Sequence, residues 1–461
     1  MLTYQDFEKI GDSYEARAEF IEELIGAHKG TSEFKTALEA DEYDAQRNIT
    51  INKAAKVIYT AEGRAVKDFT AANNRIASNF FHTFNTRRCA YSLGNGVEFS
   101  EKGTKEKLGL QFDTRLKEAA RLALIHGRSF MFWNLDHVHV FKITEFVPLV
   151  DEHTGKLRAG VRFWQLETDK PMNATLYEED GFTELRKNPG ERLKVIAEKR
   201  AYKQTVRKAR ADTQAEIVGE ENYGALPIIM LWGGEIRQST LIGLRGAIDA
   251  FDLIRSGFAD DLQECAQIYW ILENYNGMND EDLIRFRDRM KLHHIATADT
   301  GDGGKVTAHT QDVPHAARMA FLAEIRAGMY EDFGLLDLKT LSAAATNDHI
   351  DAGYQAQDDM ADDFEYQVIE AVQGILALIG IEDTPEFKRG RVSNRKELVE
   401  ILVMEAGLVD LPDEALIRQF PNFTPEQVAE VLEEILEEQG NRVTRTPGKT
   451  QEEANLQDGD A

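Results

Sequence analysis

With 461 residues, 42% of them hydrophobic, the chain is long enough for two to four structural units and can bury sizeable cores. Its 54 Lys and Arg against 80 Asp and Glu leave a formal net charge of −26. That argues against gripping nucleic acid through a basic surface, because such affinity comes mainly from neutralising phosphates. Cys89 and Cys265 stand far apart without metal-ligand spacing, which argues against a disulfide scaffold or a Cys-type zinc site and suits a reducing cytoplasm.

The start MLTYQDFEKI lacks a basic segment followed by an apolar one, so no signal peptide is expected. The most apolar runs, 225–232 and 371–381, fall short of the roughly 18 residues of a membrane span. Residues 1 to about 85 read as helices, with apolar positions at helical spacing over Tyr14 to Ala27 and a further apolar face from Asn74 to Phe84. A Gly94-Asn95-Gly96 turn then leads into a short strand. Phe112 to His126 follows as a helix, with Leu116, Ala119, Ala120, Ala123 and Leu124 on one face and Gly127 as its stop. From Ser129 the period becomes two, with a turn at Asn134-Leu135-Asp136 and another over Asp151 to Gly155, so residues 127–230 read as an antiparallel β region. Within it, Arg186 to Arg210 is locally basic; a nucleic-acid patch and a set of solvated strand faces are the two readings.

Ser239 or Thr240 can cap a helix carrying Leu241, Leu244, Ile248, Phe251, Ile254, Phe258 and Leu262 at steps of three and four. To Cys265 that is a rod of about 40 Å. A small insertion follows, with strands at 268–272, 294–297 and 305–309 and a helix over Asn279 to Lys291. Pro314 suits the first turn of a second helix striped by Met319, Leu322, Ile325, Met329 and Phe333, which Gly334 ends. A loop of small residues spans Leu335 to Asn347, and a third helix runs from there to Gly380 with its acids crowded into the first half. Short helices over 395–406, 413–419 and 424–439 precede a polar tail, 440–461, expected to be disordered.

Chemistry is sparse. Gly301-Asp302-Gly303-Gly304-Lys305 superficially resembles a phosphate loop, but Asp299 and Val306 occupy positions that need Gly and Ser or Thr, so a hairpin turn is the better reading. Asp358, Asp359, Asp362 and Asp363 sit at i,i+4 spacing and could share a metal, although a solvated acidic face needs less. His137 and His139 point to one side of a strand, where packing or surface is commoner than ligation. No nucleophile elbow and no Cys–His pair is present, so no enzyme activity, catalytic residue, metal or cofactor is expected.

Several features in order carry a resemblance. They are Asn73 to Phe81 followed by Tyr91-Ser92-Leu93-Gly94-Asn95, the helix ending Ile125-His126-Gly127-Arg128-Ser129-Phe130, the Asp151-to-Gly155 turn, and Ile248-Asp249-Ala250-Phe251-Asp252 with Phe258-Ala259-Asp260-Asp261-Leu262. Over about Asn73 to Gly380 the chain resembles the portal, or head-tail connector, proteins of tailed bacteriophages, of the type found in siphophages of Gram-positive hosts.

That resemblance implies an α+β, mainly helical subunit with wing, stem, clip and crown, assembling into a ring, usually of twelve, around a central channel. By position, the wing is 1–235, the first stem helix 236–266, the clip 267–313, the second stem helix 314–334, the tunnel loop 335–347, the long helix and wing return 348–389, the crown 390–440 and the tail 441–461. The loop residues implied to face DNA are Lys339, Thr340, Ser342, Ala344, Thr346 and Asn347, in a Ser-Ala-Ala-Ala-Thr segment where many relatives carry a Ser-Gly or Thr-Ala-Thr-Glu type. Arg318, Arg326, Asp348 and Asp351 are candidates for the channel lining, with Lys339, Arg318 and Arg326 as transient phosphate contacts or as inter-subunit ion pairs. In the clip, Arg285, Arg289, His293, Asp302 and Lys305 are candidates for docking a motor or adaptor. The implied partners are further copies of the chain, the terminase large subunit, major capsid and scaffolding proteins, head-completion adaptors and double-stranded DNA in transit, with no membrane. The implied place is the capsid portal vertex of the virion, after assembly in the host cytoplasm. A passive capsid adaptor or scaffold-binding protein, and a metal-dependent hydrolase built on the four aspartates, stand as alternatives.

Overall fold

The computed structural model describes residues 2–60, 62–69, 71–101, 103–207, 216–265, 269–273, 280–282, 284–285, 288, 305–309, 315–339, 347–391, 404 and 431. They divide into two compact units, 1–337 with 356–390, and 338–355 with 391–461.

The first unit opens with helices α1 (Tyr4–Glu8), α2 (Tyr14–Gly30), α3 (Ser32–Asp44) and α4 (Ile49–Lys53). The first three start where a hydroxyl can accept an otherwise orphaned amide: Thr3 from Asp6, Ser13 from Ala16 and Thr31 from Phe34. Helix does not continue from there to residue 85. Strands β1 (Val57–Tyr59) and β2 (Ala65–Lys67) form a hairpin, residues 71–79 run without helical structure, and α5 (Phe80–Leu93) begins only at Phe80. Val57, Ile58 and Val66 favour strand, and Gly63 supplies the positive φ, 79°, that the turn between them requires.

After β3 (Val97–Phe99) and α6 (Thr104–Leu108) comes α7 (Phe112–His126), with the bounds expected from its pattern. Gly127 at φ +93° then reverses the chain, and a Cβ there would stand 2.9 Å from the Gln238 carbonyl carbon. The β region is two main sheets and a separate ribbon rather than one sheet. A five-stranded antiparallel meander, in the order β10-β9-β8-β7-β6, holds Phe146–Val150, Leu157–Trp164, Met172–Glu178, Gly181–Lys187 and Lys194–Arg200 as β6 to β10. A three-stranded sheet, β13-β4-β5, pairs Ile228–Trp232 (β13) and His137–Lys142 (β5) on either side of Arg128–Asn134 (β4). A separate ribbon joins Lys203–Arg207 (β11) to Glu216–Glu221 (β12). The chain goes on to α8 (Leu241–Cys265), β14 (Tyr269–Glu273) paired with β15 (Lys305–His309), α9 (His315–Asp332), α10 (Asn347–Leu378) and β16 (Pro385–Phe387), which pairs with β3. Helices and antiparallel sheets together make an α+β protein.

The meander buries Val147, Leu149, Val161, Phe163, Leu176 and Leu185 against Phe20, Ile21, Leu24 and Ile25 of α2. Packing of this kind, at roughly 25 cal/mol per Å² of apolar surface, is what turns a two-faced meander into a stable layer. The first part of the basic stretch lies on this layer, where several of its side chains are paired. Lys187 pairs with Glu22 at 2.5 Å, Arg192 with Glu19 at 2.7 Å, Lys199 with Glu178 at 3.1 Å and Arg200 with Glu184 at 2.8 Å. These four side chains are engaged by acids of the same chain, while the side chains of 206 and 207 and residues 208–210 lie outside what the structure describes.

His28 closes the same core. Its Nε2 lies 2.8 Å from the Ile143 carbonyl, and Phe34 and Phe163 meet its ring edge-on. Burial is the main cause that lowers its pKa, so the folded protein holds it uncharged. The unfolded chain takes up that proton below about pH 6.5, so stability is lost as pH falls through that value. Urea unfolding of His28→Gln is expected to show a lower midpoint at pH 7.5 but a flatter decline from pH 7 to 5 than the parent protein.

Candidate functional site

The helix array expected between 236 and 380 is present in α8, α9 and α10, and its rods are anchored differently along their length. Ser239 Oγ donates to the Ile125 carbonyl at 2.5 Å and accepts from Leu241 N at 3.2 Å. Thr240 N and Oγ1 both reach the Leu124 carbonyl, at 3.1 and 3.0 Å. The last carbonyls of α7, which lack partners inside their own helix, are thus satisfied by the start of α8. Next to this junction Leu241, Leu244 and Ile248 pack with Met329 and Tyr330 of α9, with Phe333 just beyond it, and with Tyr43, Phe81 and Phe84. Farther along both helices apolar side chains emerge: Leu262 and Met319 of the stripes are exposed, as are Leu253 and Phe321 beside them.

A second stripe on α8, which periodicity did not single out, is polar. Asp252, Ser256 and Asp260 lie at steps of four and are buried. They accept the backbone amides of Ser78 at 2.9 Å, Ile76 at 3.0 Å and Asn74 at 2.6 Å, one every second residue of the segment 74–78. Asn48 Nδ2 also donates to Asp252, while Tyr43 and Thr50 donate to Asp249 at 2.6 and 2.7 Å. Burial pushes the Asp252 carboxyl above its usual value, against the pull of these donors. Acids and a hydroxyl on one face of an otherwise apolar helix were the legible signal.

The acids of α10 serve a comparable purpose. Arg389 reaches Asp358 at 3.1 Å, Glu365 at 2.7 Å, and Asp362. Tyr91 Oη donates to Asp358 at 2.6 Å, and Asp363 accepts Glu235 N at 3.1 Å. These ion pairs and hydrogen bonds hold Arg389 protonated far above neutral pH. The metal-site reading of Asp358, Asp362 and Asp363 is overturned by these partners, and only Asp359 of that set is exposed without a role here. Nor do Asp358 and Asp362 form a bare repulsive wall. Among the described residues no group of three or more His, Cys, Asp or Glu could hold a metal ion. His137 Nε2 faces His139 Nε2 at 3.0 Å and its Nδ1 bonds Asp136, so each ring finds partners at the surface. Burial pushes the Cys89 thiol up to about 12, which leaves it unreactive.

The residues named for the channel and clip are only partly described. Arg318 pairs with Asp261 of α8 and lies 5.8 Å over Phe258; Arg326 pairs with Asp337 at 2.8 Å. Both guanidiniums are engaged by acids of the same chain. In the second unit Asp351 pairs with Arg391 at 3.2 Å, and Asp348 is exposed in the first turn of α10. Lys339 is exposed at the start of the loop, and Asn347 begins α10. Arg285 lies 3.8 Å from Glu281, and Lys305 stands opposite Glu273 in the backbone register of β14 and β15. Thr340, Ser342, Ala344, Thr346, Arg289, His293 and Asp302 lie outside the described residues, as do Pro314, the 301–304 turn and nearly all of 392–461. Among the described residues no helix is long and apolar enough to cross a membrane.

Two substitutions test these anchors. Asp252→Ala leaves Asn48 and the Ser78 amide without their buried acceptor, so a loss of about 2–4 kcal/mol is expected in chemical denaturation, with faster hydrogen exchange at Asn74, Ile76 and Ser78. Arg389→Gln is expected to cost about 2 kcal/mol, less than the roughly 3–5 kcal/mol of a fully buried pair, because the side chain keeps 21% of its exposure. Differential scanning fluorimetry at neutral pH reads that loss as a lower melting temperature.

Comparison with known proteins agrees with this architecture. A family model described as "Phage portal protein, SPP1 Gp6-like" matches residues 25–444. The portal protein of Clostridium phage phiCD119 is 22% identical over 432 residues, covering 86% of this chain and 91% of that protein. The portal protein of Bacillus phage SPP1 is also 22% identical, over 430 residues, covering 85% of this chain and 82% of its own. With a helix array tied to a two-sheet body and a family match over most of its length, the chain belongs to the phage portal protein family, SPP1 Gp6-like.

Proposed function

We propose that the chain is the subunit of a portal ring at one capsid vertex, the passage through which double-stranded DNA is packaged and later ejected. Family membership supports the portal role. The observation that carries the ring is the exposed half of the stripe on α8 and α9. Leu262 and Met319 continue stripes that are buried at their other ends, Leu253 and Phe321 flank them, and among the described residues all four remain about half exposed. A head-to-tail neighbour would bury them, and repeated head-to-tail contacts close into a ring.

In this reading residues 1–235 form the wing, 236–266 and 314–334 the stem helices, 267–313 the clip, 335–347 the tunnel loop, 348–389 the long helix and wing return, and 390–440 the crown. Twelve subunits, the number usual for portals, would surround the channel. Packaging energy comes from a terminase motor docking on the clip, where Arg285, Arg289, His293, Asp302 and Lys305 are the residues to test. Capsid and scaffolding proteins meet the wing during assembly, and head-completion adaptors follow the motor. A net charge of −26 suits a conduit that must not brake DNA, since every phosphate neutralised adds counterion-release affinity. Lys339, Thr340, Ser342, Ala344, Thr346 and Asn347 would then meet the duplex sterically with little adhesion.

Native mass spectrometry and negative-stain imaging at micromolar concentration are expected to give a closed ring with a central hole. Leu262→Asp with Phe321→Asp is expected to shift it to monomer, with melting unchanged within about 1 kcal/mol because both side chains are already half exposed. A wild-type protein that stays monomeric, or pairs only as a two-fold dimer, would refute the ring.

A further inference from the structure

The β1–β2 hairpin is a two-stranded ribbon whose strand residues are exposed on both faces. Its register pairs Val57 with Lys67, Ile58 with Val66 and Tyr59 with Ala65, and all six residues are exposed. Its turn is closed by Gly63 N donating to the Thr60 carbonyl at 2.8 Å and its root by Asp68 N donating to the Lys56 carbonyl at 2.9 Å. Yet the ribbon holds Ile58 at 54%, Tyr59 at 72% and Phe69 at 83% exposure. An isolated two-stranded hairpin of this length is marginal in water, and large apolar side chains gathered on one mark a contact surface.

The root, by contrast, is rigidly held. Residues 74–78 lie along the polar stripe of α8, Asn48 is tied to Asp252 on the other side, and Lys56 Nζ stands 3.4 Å from Asp260. The result is a fixed base and a projecting arm. The arm is also mildly basic: Lys53, Lys56, Arg64 and Lys67 stand against Glu62 and Asp68 over residues 53–69, in a chain whose net charge is −26. The surface most complementary to a basic, apolar ribbon is therefore the acidic exterior of another copy of the same chain. Both edges of the ribbon remain open for main-chain pairing as well.

We infer that the hairpin is an assembly arm, which leaves its own subunit and clasps the next copy in the ring through Ile58, Tyr59 and Phe69 and its Lys and Arg side chains. The contact is head-to-tail, the type that propagates around a ring, and the inference rests on the ring reading above.

The test combines the variant Ile58→Ser, Tyr59→Ser, Phe69→Ser with a photo-cross-linking amino acid placed at Tyr59 in a mixture of unlabelled and 15N-labelled full-length chains. Expected are cross-links between labelled and unlabelled copies, and at least a tenfold higher concentration needed for the variant to form rings, with its melting curve unchanged. Rings forming equally well in the variant, cross-links confined to one chain, or cross-links in assembled heads only to a capsid protein would overturn the arm while leaving the ring intact. A wild-type chain that forms no ring at all would overturn the ring and the arm together.

Discussion

The architecture hangs on one burial event late in the chain. Phe364, Val368, Val372 and Ile375 on the second half of α10 complete a core begun by Cys89 and Leu93 of α5, Leu116, Ala120 and Ala123 of α7, and Trp133 and Leu231 of the three-stranded sheet. The polypeptide leaves this core after β13 and returns to it only with α10. Loop-closure entropy grows slowly with length, so one large apolar face can clamp a long excursion at both ends. Everything between, including α8 and α9, can therefore be shaped by something other than the core of its own subunit.

Charge is handled in the same divided way. The acidic excess suggests a uniformly repelling surface, but several carboxylates are committed inside the first unit. Asp252 and Asp260 take backbone amides, and Asp358 and Glu365 hold Arg389. A carboxylate removed from water requires donors, and here they come from chain segments with no helix or sheet of their own. The extended run 74–78 is ordered by α8, and the return near β16 is fastened by Arg389. What remains outward-facing is the part of the charge that can act on a passing polyanion or a basic arm.

The elements set by local periodicity were legible from residues alone. Phe112–His126 with its Gly127 stop, the turn at Asn134 to Asp136, the capped start of α8 and the extent of α10 all follow from spacing and cap chemistry. The hairpin at 57–67 was missed because three-residue strands offer too short a window for a period-two signal. The late start of α5 was missed because the segment before it has apolar residues that fit a helix, while its amides are claimed by α8. The partner of the α10 acids was illegible for a similar reason: Arg389, which takes up Asp358 and Asp362, lies far enough along the chain to escape any local window.

By itself, then, the sequence determined the helical rods, the strand alternation, the acidic balance and the order of pieces that marks a portal, because each is written in neighbouring residues or in overall composition. Only the tertiary structure decided that the β region splits into two main sheets and a separate ribbon, that Arg318 and Arg326 are engaged within the subunit, and that the α10 acids are held by an arginine. It also decided that 57–67 folds as a hairpin with exposed strand residues. Those outcomes depend on which distant donor reaches which carboxylate and which face remains unburied once the core has closed, and no local pattern encodes either.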